Sequence, residues 1–352
     1  MTDGSQSDLL SNLIVKVGER LASEGAAPKM AFEATQLLRP LGISSGPRLD
    51  PIRGPAFDET RAAPRTFGRY TMMGPLGEGA SGEVFEAYDP ELRRPVAVKV
   101  LREHHTDPEV LERFLAEAQV TAQLEHPGII PVHDIGVTDD GHLFFVMKRV
   151  HGKSLFEILG GVARREPAFL ETWTRHRRVS AFVQVCRAVA YAHVRGVVHR
   201  DLKPSNMMFG EYGEAVVMDW GISRVLGERG GRAVDRFVPH HTLPGQAMGT
   251  VGYMSPEQIL GAHDELGPAS DVWSLGVILY EILTVRRGFK GSFDEVATQV
   301  QSGPLRVGSA VAAAVPEPLQ AVIERATSVP LRARYADAGE LATAVDDFLA
   351  NP

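Results

Sequence analysis

The sequence predicts an α+β fold in which most of the strands precede most of the helices. Short apolar segments with alternating side-chain direction cover residues 84–88, 95–100 and 143–147, a pattern typical of strands. Longer segments with apolar residues at helical spacing cover 180–194 and 271–284. With 352 residues, 44% of them hydrophobic, the chain is long enough for one two-part domain or two small ones.

Composition and charge argue against several classes of function. The net charge is −7 and no long basic block occurs, so no nucleic-acid partner is indicated. The single cysteine, Cys186, lies in an apolar helical pattern and is predicted to be a core residue. Residues 1–8 lack a signal-peptide pattern, and the apolar run 272–285 is too short to cross a bilayer and contains Glu281. We therefore expect a soluble, cytoplasmic protein that makes no use of a membrane.

The N-terminal part of the chain differs from the rest. Residues 1–38 are predicted to be a helical segment, 39–66 a Pro- and Gly-rich linker, and 67–350 the folded domain. Six apolar residues recur at helical spacing near the N-terminus: Leu9, Leu10, Leu13, Ile14, Val17 and Leu21. This stripe either packs on the folded domain or forms a docking or dimerisation element, so a homodimer is one reading of it.

Four polar side chains follow two short apolar runs. Asp201, Lys203 and Asn206 come after the first run, and Asp219 comes directly after the second. Strand ends followed by loops are places where a rigid scaffold aims polar groups. The oxygen atoms of Asp and Asn suit Mg²⁺, and the lysine adds positive charge, so this set suits phosphoryl transfer.

A glycine-rich stretch precedes the strand at 84–88. Gly77, Gly79, Gly82 and Val84 form a G-x-G-x-x-G-x-V pattern, whose backbone N–H groups are able to approach phosphates closely. A plain glycine-rich hairpin would give the same letters. A strand follows here, whereas a dinucleotide-binding fold would need a helix.

The next strand carries a lysine among apolar residues. Alternation places Ala97 and Lys99 on one face of the strand at 95–100 and the valines on the other. A lysine in so apolar a strand needs an anionic partner, although an edge strand also tolerates one.

In this order and context, these motifs resemble the eukaryotic-like (Hanks-type) bacterial serine/threonine protein kinases, and the resemblance covers about residues 67–349. It implies a two-lobed protein kinase fold, with a small β-rich N-lobe over a larger helical C-lobe and ATP between them. It implies transfer of the γ-phosphoryl group of ATP to Ser or Thr hydroxyls of protein substrates, with autophosphorylation and a signalling role. Mg²⁺ is the implied metal, with Mn²⁺ as an alternative.

The resemblance also implies roles for the polar residues. Asp201 would be the general base and Lys203 would stabilise the transferring phosphoryl group. Lys99 would hold the α- and β-phosphates and pair with Glu117, on a helix predicted to begin at Asp107-Pro108; Glu112 is the alternative partner.

Metal and nucleotide contacts are implied in the same way. Asn206 and Asp219 would bind the metal, Met147 would line the adenine pocket, and Val150 would offer its backbone to adenine. The nucleotide-binding set implied by the resemblance is Gly77, Gly79, Gly82, Val84, Ala97, Lys99, Met147, Val150 and Met208.

Three residues depart from the family pattern without removing a catalytic group: Trp220, Thr121 and Ser255. Two alternative functions fit the sequence less well. Pseudokinases typically lack one of Lys99, Asp201 or Asp219, all present here. Small-molecule kinases of related fold usually lack the complete glycine loop and the Ser-Pro-Glu segment.

Further expectations concern support and regulation. Asp271 should brace the catalytic loop, and Arg334 should pair with Glu257. Residues 164–178, with five arginines, are predicted to be an enlarged loop or irregular helix, either a solvated face or a docking site for acidic substrates. Because Arg200 precedes Asp201, a phosphate on the activation segment is expected, and Thr242 is the candidate after Ser223 and Thr250 are set aside.

Overall fold

The computed structural model describes residues 65–79, 82–102, 108–138, 141–220, 224–225, 251–313 and 315–351. The predicted helical segment 1–38 and all but the end of the predicted linker 39–66 lie outside these ranges. Ser223, Thr242 and Thr250 lie outside them as well. The domain limits proposed from the sequence therefore stay predictions.

One antiparallel sheet of six strands forms the first part of the described chain. Its strands are β1 Thr66–Phe67, β2 Tyr70–Gly79, β3 Gly82–Asp89, β4 Arg94–Val100, β5 Val132–Val137 and β6 Leu143–Lys148, in the spatial order β1-β2-β3-β4-β6-β5. The three strands predicted at 84–88, 95–100 and 143–147 are confirmed. Val96, Val98 and Val100 lie on one face of β4, as the alternation predicts. They are buried in one apolar cluster with Phe67 of β1 and Tyr70 of β2.

Helix α1, Pro108–Gln123, covers the opposite face of this sheet. Its apolar residues Phe114, Leu115 and Ala118 are buried against Phe145 of β6, with the two phenylalanine rings 5.1 Å apart. The helix begins at the proline that the sequence indicated, because proline is favoured at the first helical position.

The second part of the described chain is mainly helical. Its helices are α2 Leu155–Ala163, α3 Pro167–Thr172, α4 Arg175–Val194, α5 Pro256–Ile259, α6 Pro268–Thr284, α7 Phe293–Gln301, α8 Ser309–Ala312, α9 Glu317–Ala326 and α10 Ala338–Ala350. Helix α6 is buried along nearly its whole length, as predicted, although it begins three residues earlier than 271. Cys186 of α4 is fully buried, which confirms its core position. Together the sheet-rich and helical parts confirm the predicted two-lobed α+β fold.

One predicted boundary was wrong. Helix α4 begins at Arg175, five residues before the predicted start at residue 180, so the last part of 164–178 is regular helix. The Thr174 hydroxyl caps this end by accepting a hydrogen bond from the Arg177 amide at 3.3 Å. The first turn carries arginine and histidine in place of apolar residues, so hydrophobic spacing did not reveal it.

Short strands present the polar loops to the space beside the six-stranded sheet. Strands β7 Gly152–Ser154, β9 Met207–Gly210 and β10 Ala215–Val217 form a three-stranded sheet, and β8 Val197–Val198 pairs with β11 Arg224–Val225. Val217 also forms a parallel bridge with Ile129, just before β5. These pairings fix the two loops that follow β8 and β10.

Candidate active site

A buried lysine lies where the sheet, α1 and the loop after β10 meet. The Lys99 Nζ atom is 2.5 Å from Glu117 Oε1 and 3.2 Å from Asp219 Oδ1. Burial acts against the charged form of Lys99, but the two carboxylates outweigh it and raise its pKa. Lys99 therefore stays protonated, in contact with the glutamate that the resemblance implied. The side chain of Glu112 lies outside those described.

Glu117 reaches Lys99 from the middle of α1. Only 4% of the residue is exposed, and this burial raises the pKa of its carboxyl to about 7. Thr121, one turn later, donates its hydroxyl hydrogen to the Glu117 carbonyl at 2.6 Å. This bond explains how a hydroxyl is buried at a position where an apolar residue was expected.

The loop after β8 is held by one carboxylate of α6. The Asp271 oxygens accept hydrogen bonds from the backbone N–H groups of His199 and Arg200, each at 2.8 Å. Asp271 is fully buried, and its Oδ2 also lies 2.8 Å from Nε2 of His193. The bracing contact expected of Asp271 is present, and it fixes the backbone immediately before Asp201.

The candidate base faces the candidate phosphoryl-stabilising lysine. The Lys203 Nζ atom is 2.6 Å from Asp201 Oδ2. Burial raises the pKa of Asp201, although Lys203 opposes the shift. The preceding residue, Arg200, has a left-handed backbone with φ of 68°, which is uncommon for a residue other than glycine. The chain therefore changes direction at Arg200, between strand β8 and Asp201.

Asn206 and Asp219 lie side by side because their flanking residues pair. Met207 of β9 is opposite Val217 of β10, and the Met218 amide donates to the Asn206 carbonyl at 2.9 Å. The Asn206 side-chain amide donates to the Asp201 carbonyl at 3.0 Å, which links Asn206 to the loop after β8. Its remaining polar atom is an amide oxygen, an acceptor.

The carboxylate of Asp219 is positioned for a cation. Its backbone is left-handed, with φ of 64°, and its side chain is 41% exposed. Burial alone would raise the pKa of Asp219, but Lys99 and Lys203 hold it below the ordinary range. A carboxylate oxygen and an amide oxygen are the kinds of donor that Mg²⁺ takes from a protein. No group of three or more acidic, His or Cys residues that could hold a metal ion occurs in the described ranges.

The glycine-rich stretch is the tip of the β2–β3 hairpin. Gly77 is opposite Val84, and Gly79 is opposite Gly82. A Cβ atom at Gly82 would lie 2.3 Å from the Val100 carbonyl oxygen, so only glycine fits there. Gly77 has open space around its Cα atom, so packing does not require glycine at this position. Val84 of β3 is paired with Lys99 of the neighbouring strand β4, so the end of this hairpin begins beside the lysine.

The predicted adenine contacts gather between the sheet and the helical part. Ala97 is opposite Met147 in the β4–β6 pair. A small apolar cluster of Ile130, Val150 and Val216 is bordered by Met147, Met208 and Met218. The Val150 carbonyl oxygen accepts a hydrogen bond from the Arg149 guanidinium. The predicted pocket residues therefore share one apolar surface, and their nucleotide contacts remain predictions.

Two supporting residues were missed in the sequence. Gln258 donates from its side chain to the Arg200 carbonyl at 2.7 Å and also caps α5 through Ser255. The Ser-x-x-Gln spacing at a helix start was a visible signal for the cap, although not for the loop contact. His193 joins Asp271 to the Ala338 amide at the start of α10, and nothing local in the sequence indicated this bridge.

Trp220, which follows Asp219, is almost completely buried in the core of the helical part. Its ring centroid lies 4.6 Å from that of His199, while His199 Nε2 lies 3.0 Å from the Met218 carbonyl oxygen. The departure from the family pattern at this position therefore keeps an aromatic anchor between the two loops. This aromatic contact links the loop after β8 to the loop after β10.

Comparison with known proteins agrees with this geometry. The chain matches the family model described as "Protein kinase domain" over residues 70–335. It is 35% identical over 295 residues to the serine/threonine-protein kinase PknD of Protochlamydia amoebophila, and 33% identical over 299 residues to that of Chlamydia felis. Each alignment covers 80% of this chain, but only 30% and 31% of the relatives, so the chain spans about three-tenths of their length. In the described ranges, no helix combines the length and apolar character needed to cross a membrane.

Proposed function

The chain belongs to the protein kinase family, and we propose that it is a serine/threonine protein kinase that transfers the γ-phosphoryl group of ATP to hydroxyl groups of proteins. The observation that carries this proposal is the contact of Lys99 with Glu117 and Asp219. It joins the sheet, α1 and the metal loop at one point. The two carboxylates keep the buried ammonium group protonated and in place, and such a fixed positive charge would attract phosphates.

The proposed roles follow from this geometry. Lys99 holds the phosphates, and Glu117 keeps its ammonium group in place. Asn206 and Asp219 hold Mg²⁺, or Mn²⁺ in its place, which supplies positive charge to the phosphates when bound. The apolar surface around Val150 and Met208 receives the adenine.

Asp201 is the proposed general base. Its raised pKa makes the carboxylate a better proton acceptor, and Lys203 at 2.6 Å keeps it oriented. It accepts the proton of the substrate hydroxyl as the new bond to the γ-phosphorus forms and the bond from that phosphorus to the β-phosphate oxygen breaks, so that ADP leaves. Lys203 then lies beside the transferring group, where its charge offsets the negative charge of the phosphoryl oxygens.

We also propose a cytoplasmic location, where ATP is available, and a role in signalling that includes autophosphorylation. The chain would act on proteins without nucleic-acid or membrane partners, in keeping with its net charge of −7. A homodimer through the apolar stripe of residues 1–38 is a separate proposal, which sedimentation equilibrium of the full chain would test.

The direct experiment is to incubate the purified chain with γ-labelled ATP, Mg²⁺ or Mn²⁺ and a protein rich in Ser and Thr, and then to map the phosphorylated residues. We expect label on Ser and Thr, and at least about 100-fold less label with the Asp201→Asn variant over the same time. A wild-type chain whose melting temperature rises with ATP and Mg²⁺ but which transfers no label would instead indicate a nucleotide-binding scaffold. A wild-type chain that neither binds ATP nor transfers label would contradict the proposal altogether.

A further inference from the structure

The N-terminal end of α4 is strongly basic. Residues 164–178 contain five arginines but only two glutamates. Three of the arginines, Arg175, Arg177 and Arg178, lie in the first turn of this 20-residue helix, and no acidic residue occurs there. A helix N-terminus already carries partial positive charge on its N–H groups, so an anion would be stabilised at this end.

Arg178 is the unusual member of this group. The residue is only 7% exposed, and its Nε and Nη1 atoms are buried without a hydrogen-bond partner in the part of the chain that the structure describes. Arg334 shows the ordinary arrangement, since it is 3% exposed and donates to both carboxylate oxygens of Glu257 and to three backbone carbonyls. A buried guanidinium without an anion costs free energy that a bound anion would recover.

The neighbours of Arg178 do not supply that anion. Burial, together with the positive charge of Arg175, lowers the pKa of Arg178. Of the two glutamates, Glu166 is in contact with Arg164 at 2.6 Å, and Glu171 forms no ion pair with Arg178 within the described ranges. In the described ranges, Arg178 is therefore not paired with either glutamate of its own segment.

We propose that the first turn of α4 is a docking site for an acidic segment of a partner protein, with Arg178 as the buried anchor and Arg175 and Arg177 around it. Arg177 lies over the Trp173 ring at 4.5 Å, which holds its side chain at this surface. On the preceding helix, α3, Leu170 is 46% exposed and offers an apolar side chain to a partner. This combination fits an acidic peptide that carries an apolar residue better than it fits a nucleic acid, for which the chain has no extended basic surface.

Binding to this site is measurable without any kinase activity. A fluorescein-labelled octaglutamate peptide with one central leucine would be titrated with the full chain at low salt, using fluorescence anisotropy and an octaglutamine peptide as the ligand control. We expect Arg178→Met to weaken binding about 10- to 100-fold, since it removes the charge-assisted hydrogen bonds. Arg178→Lys keeps the positive charge but loses the planar guanidinium group. Its affinity for the peptide should therefore lie between that of the wild type and that of Arg178→Met.

The matched control is Arg187→Gln. Arg187 lies on the same helix, is paired with Asp346 at the surface, and its substitution changes the net charge equally. It should leave peptide binding within about twofold of the wild type. Equal weakening by Arg178→Met and Arg187→Gln would show general electrostatic attraction and overturn the proposal. The proposal would also be overturned if an oligothymidylate of eight nucleotides bound more tightly than the acidic peptide.

A second readout separates docking from a structural role for Arg178. If the anion that pairs with Arg178 comes from a partner protein, the guanidinium is an unpaired buried charge in the free chain. Arg178→Met removes this charge, so we expect the melting temperature of the free chain to rise by about 2–8 °C. The peptide should raise the melting temperature of the wild type but not that of the variant. A variant that melts below the wild type would show that Arg178 stabilises the fold itself, and would contradict the proposal.

Discussion

The two terminal nitrogens of Arg334 each donate to one carboxylate oxygen of Glu257, both at 2.8 Å, across 77 residues of sequence. Both residues are 3% exposed. Removing one partner of such a pair leaves the other charge buried and unpaired. Glu257→Gln should therefore lower the free energy of unfolding by about 3–5 kcal/mol, as measured by urea denaturation.

The surface pair of Arg187 and Asp346 is the control for this prediction. Their nitrogen and oxygen atoms are 2.5 Å apart, but the side chains are 61% and 37% exposed. Asp346→Asn should cost less than about 1 kcal/mol, because water already solvates both charges. Similar losses in Glu257→Gln and Asp346→Asn would contradict a special role for the buried pair.

Acid should weaken the support of the catalytic loop. Burial alone would raise the pKa of Asp271, but hydrogen bonds from His193 and from the His199 amide hold it below its ordinary 3.8. A group with a lowered folded pKa stabilises the fold above its unfolded pKa, and this contribution is lost as pH falls through the lower, folded value. The difference in unfolding free energy between the wild type and Asp271→Asn should thus be constant from about pH 7 to 5 and shrink toward about pH 3. A difference that does not change over that range would count against ionised Asp271 as the brace.

Asp201→Asn should slow phosphoryl transfer by ~10²–10⁴-fold, because the amide cannot accept the hydroxyl proton. Binding of ATP should remain, since the proposed nucleotide contacts do not include this residue. Single-turnover transfer and nucleotide titration measure the two effects separately. Asp346→Asn, with the same change in charge at the surface, should leave transfer unaltered. Full activity in Asp201→Asn would remove Asp201 from the proposed mechanism.

Lys99→Met and Asp219→Ala should both abolish transfer, but for different reasons. The first removes the phosphate-binding cation, and the second removes a ligand of Mg²⁺. ATP with Mg²⁺ should raise the melting temperature of the wild type, and much less that of either variant. Arg187→Gln, which removes one positive charge from a surface pair with Asp346, should behave as the wild type. An undiminished melting shift in Asp219→Ala would place the metal elsewhere.

Thr242 remains the proposed activating phosphosite, although it lies outside the described residues. A phosphate there would pair with Arg200, whose carbonyl is already held by Gln258 at 2.7 Å. Thr242→Ala should lower activity without changing the melting temperature. Mass spectrometry of active protein that shows Thr242 unmodified would exclude this switch.

Helix-capping residues and the spacing of apolar residues predicted those helices and strands that depend mainly on neighbouring residues in the sequence. The start of α1 at Pro108, the two faces of β4 and the buried character of α6 follow from capping preference and residue spacing. The contact between Lys99 and Glu117 also agrees with the sequence interpretation, which preferred Glu117 to Glu112.

Features that depend on distant contacts were not predictable in this way. His193 reads as an ordinary residue of an apolar helix, and its partner Asp271 lies 78 residues further along the chain. The left-handed backbones of Arg200 and Asp219 also left no mark in the sequence, because residues other than glycine seldom adopt that conformation. The surrounding tertiary contacts impose these turns, so residue type alone does not reveal them.

The hydrogen bonds from His199 and Arg200 to Asp271 have a consequence for hydrogen–deuterium exchange. Their amide protons point at a carboxylate of α6 that is inaccessible to water. Exchange at these two amides therefore requires opening of the helical core, and it should be among the slowest in the chain, unlike that of most loops. The backbone that carries the proposed base, Asp201, should thus be rigid before a substrate binds, and little reorganisation energy would be spent on it during the proposed reaction.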